Sequence, residues 1–158
     1  MKEVMDQIKV IFVCLGNYCR SPMAEAIFNA QAEADGCAHL FQVSSAGTKD
    51  WDIGLRPDSR THNLLEDHGY PLSPHKRAQM ITQKEIHHAD YLIAMTRRVA
   101  NELGGGENVS LLLDYAEDMP VKDIPDPYPT DTFPEAFGLI EHGVRAFYAF
   151  LIRKHNLD

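Results

Sequence analysis

The chain lacks the features that would direct it to a membrane, a nucleic acid or a metal. No apolar run approaches the ~18 residues that a membrane span needs. Met1 to Gln7 are polar and mixed in charge, without the apolar core of a signal peptide. No Lys/Arg-rich run stands out, and Lys+Arg 15 against Asp+Glu 23 leaves a net charge of −8. Nucleic acid and anionic membrane surfaces are therefore poor partners, and any anionic ligand must be held by local donors. Cysteine is scarce: Cys14, Cys19 and Cys37. An odd count with two members in one short segment is no disulfide framework and fits a reducing, cytoplasmic compartment. His-x3-His and Cys-x2-Cys are both missing, and neither His87-His88 nor His62 and His68 share a helix face. No metal site is expected. There is no internal repeat, low-complexity tract or domain linker.

What is present reads as one domain of 158 residues, with residues 1–7 as a short extension. A chain of this length buries enough surface to fold without a disulfide or metal staple. Ile8–Val13, apolar apart from Lys9, reads as a buried parallel strand. Pro22 suits the first turn of a helix, and Met23, Ala24, Ile27 and Phe28 give it an apolar face until Gly36 stops it. Phe41–Gly47 reads as a second strand. Arg56-Pro57-Asp58 opens a second helix running to about Asp67. Thr82-Gln83-Lys84-Glu85 is a capping-box pattern. Tyr91–Met95 is a third strand, followed by a helix to about Leu103. Gly104–Gly106 is read as its stop signal, since no Lys-Ser/Thr follows to make a phosphate loop. Val109–Leu113 is a fourth strand. A proline-rich loop holds Pro120, Pro125, Pro127 and Pro129. Thr132-Phe133-Pro134-Glu135, a second capping-box pattern, launches a final helix with Phe137, Ile140, Val144, Phe147 and Leu151 at helical spacing. The alternation of strands and helices predicts a doubly wound α/β domain with a parallel sheet and right-handed crossovers. Ligands of such sheets bind outside the carboxyl ends of the strands.

One segment at such an end carries the chemistry: Cys14-Leu15-Gly16-Asn17-Tyr18-Cys19-Arg20-Ser21. It joins the first strand to the first helix. Backbone N–H groups of a strand-to-helix loop converge on an oxyanion. Cys14 is the candidate nucleophile, and the loop donors, the helix dipole and Arg20 all favour its thiolate. Gly16 and Asn17 are residue types that tolerate positive φ, letting the chain wrap an anion. Arg20 can clamp two oxygens at once. Ser21 either donates to the thiolate or caps the helix, and both roles stay open at this point. A leaving oxygen needs a proton from the opposite side. Asp126, between Pro125 and Pro127, is placed to give it, with Asp123 and Asp131 as competitors. Tyr18, Trp51 and Tyr128 are candidate walls of an aromatic slot. Cys37 is read as packing.

The string Val13-Cys14-Leu15-Gly16-Asn17-Tyr18-Cys19-Arg20-Ser21-Pro22-Met23-Ala24-Glu25 resembles the signature of the low-molecular-weight protein tyrosine phosphatases. Ser45-Ala46-Gly47-Thr48 and Asp126-Pro127-Tyr128 fall where that family has similar segments. The resemblance implies a flavodoxin-like, three-layer fold with a four-stranded parallel sheet. It implies a cofactor-free phosphomonoesterase with a phosphocysteine intermediate, Arg20 as phosphate clamp and Asp126 as general acid. Leu15 through Ser21 would be the phosphate-binding loop, stiffened by Asn17, Ser21, Ser45 and a histidine matching His75. Implied ligands are phosphotyrosine proteins and small aryl phosphates, with phosphate and vanadate as inhibitors. The chain itself is expected to be a monomer, with weak self-association left open. A reversible Cys14–Cys19 disulfide would guard the nucleophile. The chain departs from the pattern at Pro129, where many members have a second tyrosine, and at Thr96, where many have Asp; Thr96 is expected to cap a helix. An arsenate reductase of the same fold would need further cysteines, and none follows Cys37. A non-catalytic phospholigand-binding module would need neither a thiol nor an acid.

Overall fold

The computed structural model describes residues 6–157. Residues 1–5 of the expected extension lie outside that range. The first strand, β1 (Ile8–Cys14), sends successive side chains to opposite faces. Val10, Phe12 and Cys14 join one apolar cluster, and Ile11 and Val13 join another. Burial on both faces explains why this strand reads as a continuous apolar run.

The chain then forms α1 (Arg20–Ala34), β2 (Phe41–Gly47), α2 (Ser59–Asp67), α3 (Gln83–His88), β3 (Tyr91–Ala94), α4 (Arg97–Glu102), β4 (Val109–Leu111) and α5 (Phe133–Lys154). The strand order is β2-β1-β3-β4, with every pair parallel. This is the flavodoxin-like order, and β1 and β3 flank its switch point. Met23, Ile27 and Phe28 of α1 and Phe137, Ile140, Val144, Phe147 and Leu151 of α5 pack on the Phe12 face. Val99 of α4, with Leu103 just beyond it, and Ile86 of α3 cover the other. Phe12, Phe28 and Phe147 meet with ring centroids 5.9–6.0 Å apart at the centre of the larger cluster.

Local signals in the sequence act as physical caps in most places. Thr82 accepts from the Glu85 N–H while the Glu85 carboxylate accepts from the Thr82 N–H, closing the capping box of α3. Thr96 caps α4 by accepting from the Val99 N–H at 3.2 Å. Gly104 and Gly105 follow α4 with φ of 94° and 61°, as a stop requires. Two expectations need correction. The fourth strand ends at Leu111 rather than Leu113, because Leu112–Tyr115 winds into a 3-10 turn that buries both leucines. The second capping box does not form: Thr132 makes no side-chain cap, and its hydroxyl pairs instead with that of Thr130 at 2.8 Å.

Asp58 starts α2 and ties it to the loop after β1. Its carboxylate accepts from the Arg60 N–H at 2.8 Å, while its own N–H donates to the Tyr18 carbonyl at 3.0 Å. Hydrogen bonds from the Arg60 side chain hold the Asp58 carboxyl below the usual carboxylate range, against the opposing effect of burial. A depressed pKa means stability present above the unfolded value of about 3.9 and lost as pH falls through the folded one. Replacing Asp58 by Ala is expected to lower unfolding free energy by about 1–2 kcal/mol at pH 7. In urea titrations the gap from wild type should narrow below about pH 4.

Candidate active site

Cys14 ends β1, and its register partner Gly47 ends β2. At this carboxyl edge the loop from Leu15 to Cys19 turns back into α1. Among the described residues, no backbone N–H from Leu15 to Arg20 donates to another protein group. These donors remain available to an anion, beside the positive end of a 15-residue helix. Asn17 supplies the reversal with φ of 58°. Gly16 was expected to share that role but has no positive φ. Its lack of a side chain leaves room for the Asp52 carboxylate. Gly47 is required more strictly, since a Cβ there would collide with the backbone of Leu15, Gly16 and Asn17.

A buried hydrogen-bond chain beneath the loop has a direction that can be worked out. The Gln79 backbone N–H, which can only donate, gives its proton to Asn17 Oδ1 at 3.0 Å. The Asn17 Nδ2 must then donate, and it does so to Ser21 Oγ at 2.8 Å and Ser45 Oγ at 3.0 Å. Ser45 passes its own proton to Glu25 Oε1 at 2.6 Å. Ser21 Oγ therefore accepts from Asn17, and its single proton points to Cys14 Sγ, 3.0 Å away. The helix has no side-chain cap at Cys19, so the open choice for Ser21 resolves toward the sulfur. Asn17, Ser21 and Ser45 are fully buried; an unmade bond among them would cost about 1–3 kcal/mol. Behind them the Lys76 ammonium donates to the Ser45 carbonyl at 2.9 Å and lies 3.4 Å from Glu25.

His75 does not join this chain. It is exposed, and its recorded bond is a backbone one to Ser73 Oγ at 3.2 Å. Its neighbour Lys76 turns inward to pair with Glu25, and Gln79 serves Asn17. Sequence reasoning missed Lys76 and Gln79, which come from a segment without regular structure. Glu25 had a readable signal: it lies four residues after Ser21, on the same helix face.

Above the loop lies a cleft of about 390 Å³ lined by Cys14, Leu15, Gly16, Tyr18, Cys19 and Arg20, and walled by Trp51, Asp52, Leu55, Asp126 and Tyr128. Arg20 is 4% exposed; one guanidinium nitrogen donates to the Ile124 carbonyl at 2.8 Å, and another lies 3.9 Å from Asp126 Oδ2. Asp126 reaches the cleft, whereas Asp123 is bound to Arg97 and Asp131 to Arg60. Tyr18 and Tyr128 face each other with centroids 6.2 Å apart, and Trp51 is 61% exposed at the rim. Burial pushes the Cys19 thiol well above its usual range, reinforced by Asp58 and Cys14. All three cysteines are free; Cys37 packs at the edge of the larger cluster. Among the described residues, no group of three or more His, Cys, Asp or Glu side chains is arranged to hold a metal ion.

The chain is similar to proteins already known. The sequence profile described as "Low molecular weight phosphotyrosine protein phosphatase" matches residues 9–157. The low molecular weight protein-tyrosine-phosphatase YfkJ of Bacillus subtilis is 38% identical over 156 residues, covering 95% of this chain and 99% of the relative. Low molecular weight protein-tyrosine phosphatase A of Mycobacterium tuberculosis is 39% identical over 144 residues, with 86% of each chain covered. The crystal structure of YfkJ superposes with a TM-score of 0.89 at 37% identity, covering 96% of this chain and 98% of that one.

Asp52, absent from the sequence reading, places a second carboxylate beside Asp126. Burial, then the Asp126 charge, raises its pKa. As pH rises through its titration the rim gains a negative charge that opposes an incoming anion. Asp52→Asn is therefore expected to strengthen vanadate binding a few-fold at pH 7. The advantage should vanish at pH values where wild-type Asp52 is protonated, as measured by titration across pH 4 to 7.

Proposed function

The chain belongs to the low molecular weight phosphotyrosine protein phosphatase family, and from that premise we propose that it hydrolyses phosphotyrosine and small aryl phosphate monoesters through a phosphocysteine intermediate. The observation that carries this reading is the cleft itself: a thiol that receives a hydrogen bond from Ser21 lies below a loop of free N–H donors, with Arg20 and Asp126 on its walls.

In the first step the Cys14 thiolate attacks phosphorus in line, and the S–P bond forms as the bond to the aryl oxygen breaks. Asp126 gives its proton to that oxygen, so the phenol leaves neutral. The N–H groups of Leu15 to Arg20 and the Arg20 guanidinium take up the charge on the three remaining phosphoryl oxygens. In the second step Asp126, now a carboxylate, takes a proton from the attacking water. The S–P bond breaks, and the thiolate returns with its Ser21 hydrogen bond. The chain that orients Ser21 is made before substrate arrives, so it needs no reorganisation during the reaction. Tyr18, Tyr128 and Trp51 form an apolar passage suited to an aryl group, which favours phosphotyrosine over shorter phosphoserine.

The same loop supports a redox reading. Cys14 and Cys19 are free, five residues apart, and line one cleft. Peroxide would convert the Cys14 thiolate to a sulfenic acid, and attack by Cys19 would form the disulfide and release water. This chemistry, like the thiolate nucleophile, belongs in a reducing cytoplasmic setting. No helix among the described residues is long and apolar enough to cross a membrane.

With p-nitrophenyl phosphate, Cys14→Ser should lose turnover yet still bind vanadate or phosphate; full activity in that variant would end this mechanism. Asp126→Ala should lose about 10²–10⁴-fold in kcat/KM on phenyl phosphate, and far less on p-nitrophenyl phosphate, whose leaving group needs little proton donation. After mild peroxide, mass spectrometry should find a Cys14–Cys19 disulfide. A Cys14 sulfinic acid without it would rule out the guard role of Cys19.

A further inference from the structure

Arg60 lies outside the cleft lining, yet it contacts three residues in and just after the loop that carries Asp126 and Tyr128. Its Nε donates to Asp58 Oδ1 at 3.0 Å and one terminal nitrogen to Asp58 Oδ2 at 2.9 Å, a two-pronged pairing. The other terminal nitrogen donates to Asp131 Oδ1 at 3.1 Å. The guanidinium carbon sits 4.2 Å from the Phe133 ring centroid and 5.2 Å from that of Tyr128. One planar cation thus joins Asp58, whose N–H is bonded to the Tyr18 carbonyl, to three residues at the far end of the proline-rich loop.

That loop is held from both ends. Near its start, Arg97 pairs with Asp123, the Ile124 N–H donates to the Met95 carbonyl, and Arg20 donates to the Ile124 carbonyl. Near its finish, Asp131 adopts φ of 54°, a conformation that costs a non-glycine residue free energy and must be held by its surroundings. Its recorded side-chain partner is Arg60. Between the anchors, Pro125, Pro127 and Pro129 cannot donate backbone hydrogen bonds. The recorded internal bonds there are the Tyr128 N–H to Asp126 Oδ1 at 3.1 Å and the Thr132 N–H to the Pro127 carbonyl at 3.2 Å.

We propose that Arg60 is a positioning residue for the reaction. By pinning Asp131, Phe133 and Tyr128 to the loop-anchored Asp58, it holds Asp126 where its proton reaches the leaving oxygen. The inference rests on the phosphatase reading and extends it to the control of proton transfer. A flat, forked cation is required, because it must pair with two carboxylates and stack on two rings at once; a lysine ammonium can do only part of this.

The test compares kcat/KM for phenyl phosphate, a poor leaving group, with that for p-nitrophenyl phosphate, a good one. Arg60→Gln is expected to lose about 10–100-fold on the first and less than about threefold on the second, with vanadate affinity within about threefold of wild type. Arg60→Lys should fall between. Asp131→Asn, which spares the Asp58 cap, should show the same split at about three- to tenfold and keeps the test usable if Arg60→Gln folds poorly. In an Asp126→Ala background, Arg60→Gln should remove nothing further on phenyl phosphate, because the acid it positions is gone. Equal losses on both substrates, or a full additional loss in the Asp126→Ala background, would overturn the positioning role. If the wild type hydrolyses neither substrate, or Cys14→Ser hydrolyses both, the phosphatase reading itself fails and takes this inference with it.

Discussion

The site depends first on the side chain of Asn17. It is fully buried, sits at positive φ, and bonds at once to the Gln79 backbone, Ser21 and Ser45. Because the Gln79 N–H can only donate, the amide has one permitted orientation. That orientation sets the hydroxyl of Ser21, which then points its proton at Cys14. A backbone bond outside the cradle loop thus decides what the Cys14 sulfur meets inside it. The same contacts keep the loop's N–H groups turned away from internal partners and free for an anion.

The other wall of the cleft is built on different physics. The loop carrying Asp126 has too many prolines to stabilise itself by regular hydrogen bonding, so charged side chains from neighbouring elements hold it. Arg97 and Arg20 act at its start and Arg60 at its end. The result is a division of labour: a buried Asn17–Ser21–Ser45 network, backed by the Glu25–Lys76 pair, beneath the anion loop, and partly exposed ion pairs and ring contacts around the loop that carries Asp126. The Asp126 side chain, 44% exposed, keeps the solvent access that the proposed acid role requires.

Charge gives the cleft a second character. The chain is acidic overall, and Asp52 and Asp126 both face the entrance. Attraction of an anion is therefore local, confined to Arg20, the loop donors and the amino end of α1. The exposed Trp51 and Tyr128 add apolar surface at the rim, which offsets for the proposed aryl esters part of what their charge loses on approach.

The strands, the helices and the anion loop were legible in the sequence because each rests on local rules. The uninterrupted apolar run of β1, the Thr82 and Thr96 caps and the glycine stops act within a few residues of themselves. The spacing of Cys14 and Arg20 in a strand-to-helix loop likewise needs no distant partner. Where local rules failed, a contact from elsewhere in the chain decided the outcome. The Thr132 hydroxyl found Thr130 instead of the helix N–H groups. Gly16 was needed for the room it gives Asp52, not for its φ. Lys76 and Gln79 took the places that the resemblance assigned to His75, because the segment after α2 presents them, and not the imidazole, to Ser45 and Asn17. Sequence alone determined that a thiol, an arginine and a helix start share one turn, since these are neighbours along the chain. Only the tertiary structure decided which way the protons run beneath that turn and what holds Asp126 across from it, because those bonds join residues up to about a hundred positions apart, and no local pattern encodes them.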